Sequence, residues 1–245
     1  MQPINACKNQ LKTIATSSRL GNNYAFQMLA CCTLIILFSS NVYAEPTVDA
    51  TSWLSNTQPD PSDPAGQFKL GKMYDKGEGV PRDQALALSW YRKAAEQGYP
   101  AAQLLLGIIY DQAIGVPQDY SLALLWYRKA AEQGYAKAQY NLAAMFDAGL
   151  GTPQDYQLAA DWYLKAAEQG FAKAQYNLGS MYFSGEGVHK SNVKAWMWLQ
   201  LAAEQGLQQE VKQRLEMENS LSEAEIKKAK KMLKDWKAGH KQLKK

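Results

Sequence analysis

Four tryptophans stand 36 residues apart, at Trp90, Trp126, Trp162 and Trp198, and Gly98, Gly134, Gly170 and Gly206 keep the same step. The text before each glycine reads WYRKAAEQG, WYRKAAEQG, WYLKAAEQG and WLQLAAEQG. Upstream, QFKLGKMY, QLLLGIIY, QYNLAAMF and QYNLGSMY recur at that spacing from Gln67. A period of this length marks one supersecondary unit, too small to cover its own apolar face and stable only when stacked on its neighbours. The units run over 65–100, 101–136, 137–172 and 173–206.

Each unit reads as two helices. Phe68, Leu70, Met73 and Tyr74 fall on one face of the first. The Gly/Pro stretches GEGVPRD, AIGVPQD, GLGTPQD and GEGVHKS then stop it. Asp83, Asp119, Asp155 and Ser191 stand where the second helix begins, and their side-chain oxygens suit an N-cap. Ala87, Trp90, Ala94 and Ala95 follow at helical spacing, and Gly98 can take the left-handed conformation that ends a helix. The alanines let helices approach closely, and the tryptophan is expected to fill the space between units.

These residues resemble the Sel-1-like repeat family, relatives of the tetratricopeptide repeats, whose pattern is A-x-x-x-L-G-x-x-Y-x-x-G-x-G-V followed by D-x-x-x-A-x-x-W-Y-x-K-A-A-E-Q-G. Ala102 to Gly134 fits it with Ala113 in place of the first loop glycine. Other departures are Ala143 for Gly, Phe146 for Tyr and Leu199 for Tyr. The resemblance implies an all-α fold: a right-handed α/α superhelical solenoid of four helix-pair repeats. It also implies an adaptor that binds other proteins on the concave side, lined by the first helices. There the positions outside the apolar pattern are Lys69, Lys72, Leu105, Ile108, Asn141, Ala144, Asn177 and Ser180, a strip passing from basic through apolar to polar. Leu105 and Ile108 are apolar where the repeat does not demand it. They are either anchors for a protein or extended peptide or contacts to a neighbouring helix.

The flanks differ in composition. Residues 28–38, MLACCTLIILF, are too short to cross a membrane. They follow Lys8, Lys12 and Arg19 and precede Val42-Tyr43-Ala44, as in a secretory signal peptide over 1–44 cut after Ala44. An uncleaved anchor, a buried strand and a start at Met28 are the alternatives. All the cysteines (Cys7, Cys31, Cys32) leave with the leader, so the mature chain could enter an oxidising compartment with no thiol. The expected location is periplasmic or secreted from a bacterium. Residues 45–64 hold Pro46, Pro59, Pro61 and Pro64 and read as a flexible linker; Trp53 and Leu54 are its large apolar pair.

After Gly206 the rhythm breaks, and residues 207–245 read as a capping helix pair. Ser222-Glu223-Ala224-Glu225 fits a capping box and Leu221 with Ile226 a hydrophobic staple. Residues 221–245 carry nine lysines against three acids. They read either as a solvated face or as a contact to an anionic membrane or wall polymer. The tail lacks arginine, and its tryptophan, Trp236, falls on the apolar face with Ile226, Ala229 and Leu233, which argues against nucleic acid.

Catalytic signatures are weak. Ser191-Asn192-Val193-Lys194 matches S-x-x-K, but Ser191 holds the cap slot and no S-D-N or K-T-G accompanies it. Glu96, Glu132, Glu168 and Glu204 recur once per unit, unlike a catalytic pair; Asp75, Asp111 and Asp147 sit late in the first helices. Only two histidines occur, His189 and His240, too few for a multi-histidine metal site. The expectation is a non-enzyme without cofactor or metal. The rivals are an envelope organiser held by its lysines and an envelope hydrolase.

Overall fold

The computed structural model describes residues 59–206 and 217–243. The expected leader over 1–44, residues 45–58 of the expected linker, and residues 207–216, where the first capping helix is expected, lie outside the described residues. All regular structure among the described residues is helical. The helices are α1 (Pro64–Lys76) and α2 (Gln84–Glu96), α3 (Pro100–Asp111) and α4 (Tyr120–Glu132), α5 (Ala136–Ala148) and α6 (Tyr156–Glu168), α7 (Ala172–Ser184) and α8 (Asn192–Ala203), and α9 (Glu223–Leu243). Each of α1 to α8 packs on its neighbour in chain order and α9 packs on α8. The architecture is an all-α solenoid of four helix pairs.

The turn within each pair is built from the same parts. Asp83, Asp119 and Asp155 accept from the backbone N–H groups of Leu86, Leu122 and Leu158 at 2.9 Å. Ser191 caps α8 by accepting from Lys194 N–H at a longer 3.4 Å. The cap residues' own N–H groups donate back to the carbonyls of Tyr74, Tyr110, Phe146 and Tyr182. Arg82, Gln118 and Gln154 donate to the carbonyls of Asp75, Asp111 and Asp147 at 2.9, 2.7 and 2.7 Å. Both ends of the turn thereby satisfy backbone groups the helices leave open. Ala113 holds φ 57°, the left-handed value that glycine supplies in the other repeats.

The space between helices is filled differently from the sequence expectation. Trp126 and Trp198 are buried, but Trp90 and Trp162 are only half-buried. The ammonium groups of Lys93, Lys129 and Lys165 sit 4.1, 4.5 and 3.8 Å from the ring centres of Trp90, Trp126 and Trp162. The aromatic that closes each of the first three pairs is the next residue: Tyr91, Tyr127 and Tyr163 are 3%, 1% and 1% exposed. One step along a helix turns a side chain by about 100°, from the flank to the centre of the buried face. The tyrosine rings lie where Cβ atoms on Gly71 and Gly107 would fall.

A buried amide ladder binds one pair to the next. Gln103, Gln139 and Gln175 donate to the carbonyls of Ala95, Ala131 and Ala167 near the ends of α2, α4 and α6, at 3.0, 3.1 and 3.1 Å. Each accepts in turn from Gln133, Gln169 and Gln205, at 2.7, 2.7 and 2.8 Å. In the first repeat Gln67 accepts from Gln97 at 2.8 Å and donates to Pro61 at 2.9 Å. The turn before α1 therefore supplies the carbonyl that a preceding repeat would supply.

At the other end α9 covers α8. Ser222 and Glu225 form the expected capping box, and Leu221, Ile226 and Ala229 join the cluster of Trp196 and Leu199. Trp236 meets Trp198 edge-on at 5.9 Å, and Lys237 pairs with Glu204 at 2.6 Å.

Candidate protein-binding surface

The strip begins on α1, where Lys69 and Lys72 are exposed and the Lys72 ammonium lies 4.8 Å from the Phe68 ring. On α3, Leu105 and Ile108 are half-buried. Leu105 packs on the cluster containing Tyr91, Leu106 and Ile109, and Ile108 on the one containing Leu104, Tyr127 and Leu142. Each thus contributes to the core and keeps part of its surface in solvent. Asn141, Ala144, Asn177 and Ser180 are half-buried on α5 and α7.

The asparagines belong to a polar node that sequence periodicity alone did not assign. Tyr127 donates to Asp111 at 3.1 Å and Tyr163 to Asp147 at 3.4 Å. Asn141 approaches the Tyr127 hydroxyl from the next repeat and opposes its rise, as Asn177 does for Tyr163 and Tyr140. Burial first, and the facing aspartate second, push the Tyr127 hydroxyl upward; Tyr91 beside Asp75 is raised for the same reasons. Burial also raises Tyr163, with Asp147 adding to the rise and Asn177 opposing it. Asp147 is itself raised, chiefly by burial, with the Tyr163 hydrogen bond opposing. The recurrent Asp75, Asp111 and Asp147 are therefore partners of the core tyrosines. The sequence signal was there in the shared 36-residue step of Tyr and Asp, but a period does not say which side chains face each other.

Other candidate chemistry resolves into frame. The Lys194 ammonium lies over the Tyr182 ring, 4.9 Å from its centre, while Ser191 is engaged with the Lys194 backbone; the S-x-x-K match is a helix cap. Glu204 is pushed up by burial, but hydrogen bonds from Lys237 and Gln200 and the Lys237 charge bring it below the ordinary carboxylate value. Among the described residues, no group of three His, Cys, Asp or Glu could hold a metal ion. None of the described helices is long and apolar enough to cross a membrane.

One junction departs from the others. Between the first two repeats a cavity of about 390 Å³ opens, lined among others by Asp75, Gln84, Leu88, Tyr91, Leu105 and Ile109.

The Sel1 repeat model matches residues 64–99, 100–135, 136–171 and 172–207. No curated protein matches the chain. Among solved structures, the chain is similar to a Sel1 repeat protein from Oxalobacter formigenes, with 39% identity and a TM-score of 0.58 over 64% of this chain and 62% of that one. It is also similar to a protective antigen of uropathogenic Escherichia coli strains that displays an SLR fold, with 35% identity and a TM-score of 0.64 over 79% of this chain and 41% of that one. The chain thus spans less than two thirds of either relative's length. Sel1 repeat proteins are generally protein-interaction scaffolds, and the family is mainly non-catalytic. With four consecutive matches that coincide with its four helix pairs, this chain belongs to the Sel1 repeat family.

Proposed function

We propose that this protein is an exported, non-enzymatic scaffold that engages a partner protein or extended peptide along the strip from Lys69 to Ser180. The observation that carries this reading is the contrast between a repeated frame and a varied surface. The buried glutamines, core tyrosines and capping aspartates recur from unit to unit. The strip instead changes from Lys69 and Lys72 to Leu105 and Ile108, then to Asn141 and Asn177. A frame held by recurrent bonds is preorganised, which lowers the ordering cost of binding. The strongly raised tyrosines serve that frame rather than a cleft, in keeping with a non-catalytic role. Export is supported by the apolar run 28–38 followed by Val42-Tyr43-Ala44.

Photo-crosslinking residues placed at 69, 105 and 177 in intact cells test the surface, with exposed position 125 as control. Capture from the strip and none from 125 is the expected result; equal capture from all sites overturns it. Mass spectrometry of the mature N-terminus, expected at Glu45, tests export.

A second reading adds attachment to an anionic surface. Lys227, Lys230, Lys231 and Lys234 are exposed on α9 and fall within an arc of about 100°. Binding to vesicles containing phosphatidylglycerol that falls steeply with salt supports it; salt-insensitive binding, or none, opposes it.

A further inference from the structure

The cavity between the first two repeats exists because two residues break the repeat. Where α4 and α6 begin with Tyr120 and Tyr156, α2 begins with Gln84. A Cβ on Gly151 would meet the Tyr120 carbonyl at 2.6 Å, so the loop after α5 sits directly on the first turn of α4. The equivalent Gly115 meets only the Gln84 side chain, at 3.9 Å. The loop after α3 therefore stands away from α2. Ile114, at its tip, is 46% exposed, whereas its counterpart Leu150 packs on the core. The second departure is Leu105. At the next junctions Asn141 and Asn177 occupy this position and engage the tyrosine hydroxyls. Leu105 leaves an apolar wall beside Tyr91 instead.

The result is a cavity with Leu88, Leu105 and Ile109 among its walls and the exposed Asp75 in its lining. Asp75 faces the Tyr91 hydroxyl; Arg82, which approaches from the loop, is engaged with the Asp75 backbone carbonyl. Apolar walls with a carboxylate beside them complement an aliphatic side chain next to a cation.

Resting on the scaffold reading above, we propose that this cavity is a docking pocket for a leucine of a partner peptide together with the aliphatic stem of an adjacent lysine or arginine, whose charged end faces Asp75. Closing the cavity with the residues that the next two junctions use there, Gln84→Tyr and Leu105→Asn, should abolish docking without harming the fold.

The test uses isotope-labelled protein and three synthetic nonapeptides with Gly/Ser flanks and a central Lys-Leu, Lys-Ala or Glu-Leu. The Lys-Leu peptide is expected to shift the amide signals of Leu105, Ile109 and Gly115. The Lys-Ala peptide should bind at least about tenfold more weakly, from the loss of leucine burial, and Glu-Leu a few-fold more weakly than Lys-Leu. Q84Y/L105N should lose the shifts while keeping the wild-type melting temperature or exceeding it, and Asp75→Asn should erase the preference for Lys-Leu over Glu-Leu. Unmoved cavity signals with the Lys-Leu peptide, or binding unchanged in Q84Y/L105N, overturns the proposal. Cavity signals that move only when residues 45–58 are deleted would assign the pocket to the chain's own Trp53-Leu54 and also overturn it. If crosslinking from positions 69 and 177 persists in either case, the scaffold reading stands and only the pocket fails.

Discussion

The side-chain amide of Gln169 donates to the carbonyl oxygen of buried Gln139 at 2.7 Å, joining the end of α6 to the first turn of α5 across thirty residues of sequence. Gln139 passes the link on to the Ala131 carbonyl of the preceding repeat. Removing the middle amide strands a donor and an acceptor. Gln139→Met is expected to cost about 1–3 kcal/mol, read by chemical denaturation. Gln169→Ala added to it should cost less than it does alone, because its partner is already gone. Strict additivity of the two would refute the ladder.

The left-handed backbone at Ala113 stores strain that glycine would not. Ala113→Gly is expected to raise stability by about 1 kcal/mol. An unchanged or lower melting temperature would show that the loop relaxes around the methyl group.

Ser191 caps α8 at 3.4 Å where the aspartates of the other repeats reach 2.9 Å. Ser191→Ala should destabilise by about 0.5–2 kcal/mol, and Ser191→Asp should restore or exceed wild-type stability. No gain in stability from Ser191→Asp would count against the cap.

Three core tyrosines give the fold an alkaline limit. Tyr91, Tyr127 and Tyr163 all lie above their ordinary value of 10.0, first because of burial and then because of their aspartates. With the folded value above the unfolded one, their contribution is complete below about pH 10 and is lost as pH rises from there toward the folded value. Within that window each tyrosine lowers stability by at most about 1.4 kcal/mol per pH unit. Denaturant midpoints should fall steeply from about pH 10 to about pH 12, and less steeply in Tyr127→Phe. Equal slopes for the two proteins would remove Tyr127 from the account.

The sequence by itself determined the helix pairs, their caps and their order. Those features are local and repeated: Asp83 caps whatever helix begins at Gln84, and Gly98 ends it, without reference to the rest of the molecule. The sequence also carried Ser222 and Glu225 as a capping box, for the same local reason. Tertiary structure alone decided which repeated residues face inward and which partner they meet. A 36-residue step marks Trp126 and Tyr127 equally, yet the tyrosine occupies the centre of the packed face and the tryptophan its flank under Lys129. The glutamines that read as markers of the period proved to be its bonds, because a buried amide must find partners on another element. The cavity at the first junction belongs to the same class. Gln84 and Leu105 are unremarkable one at a time, and only packing brings their two departures to one place.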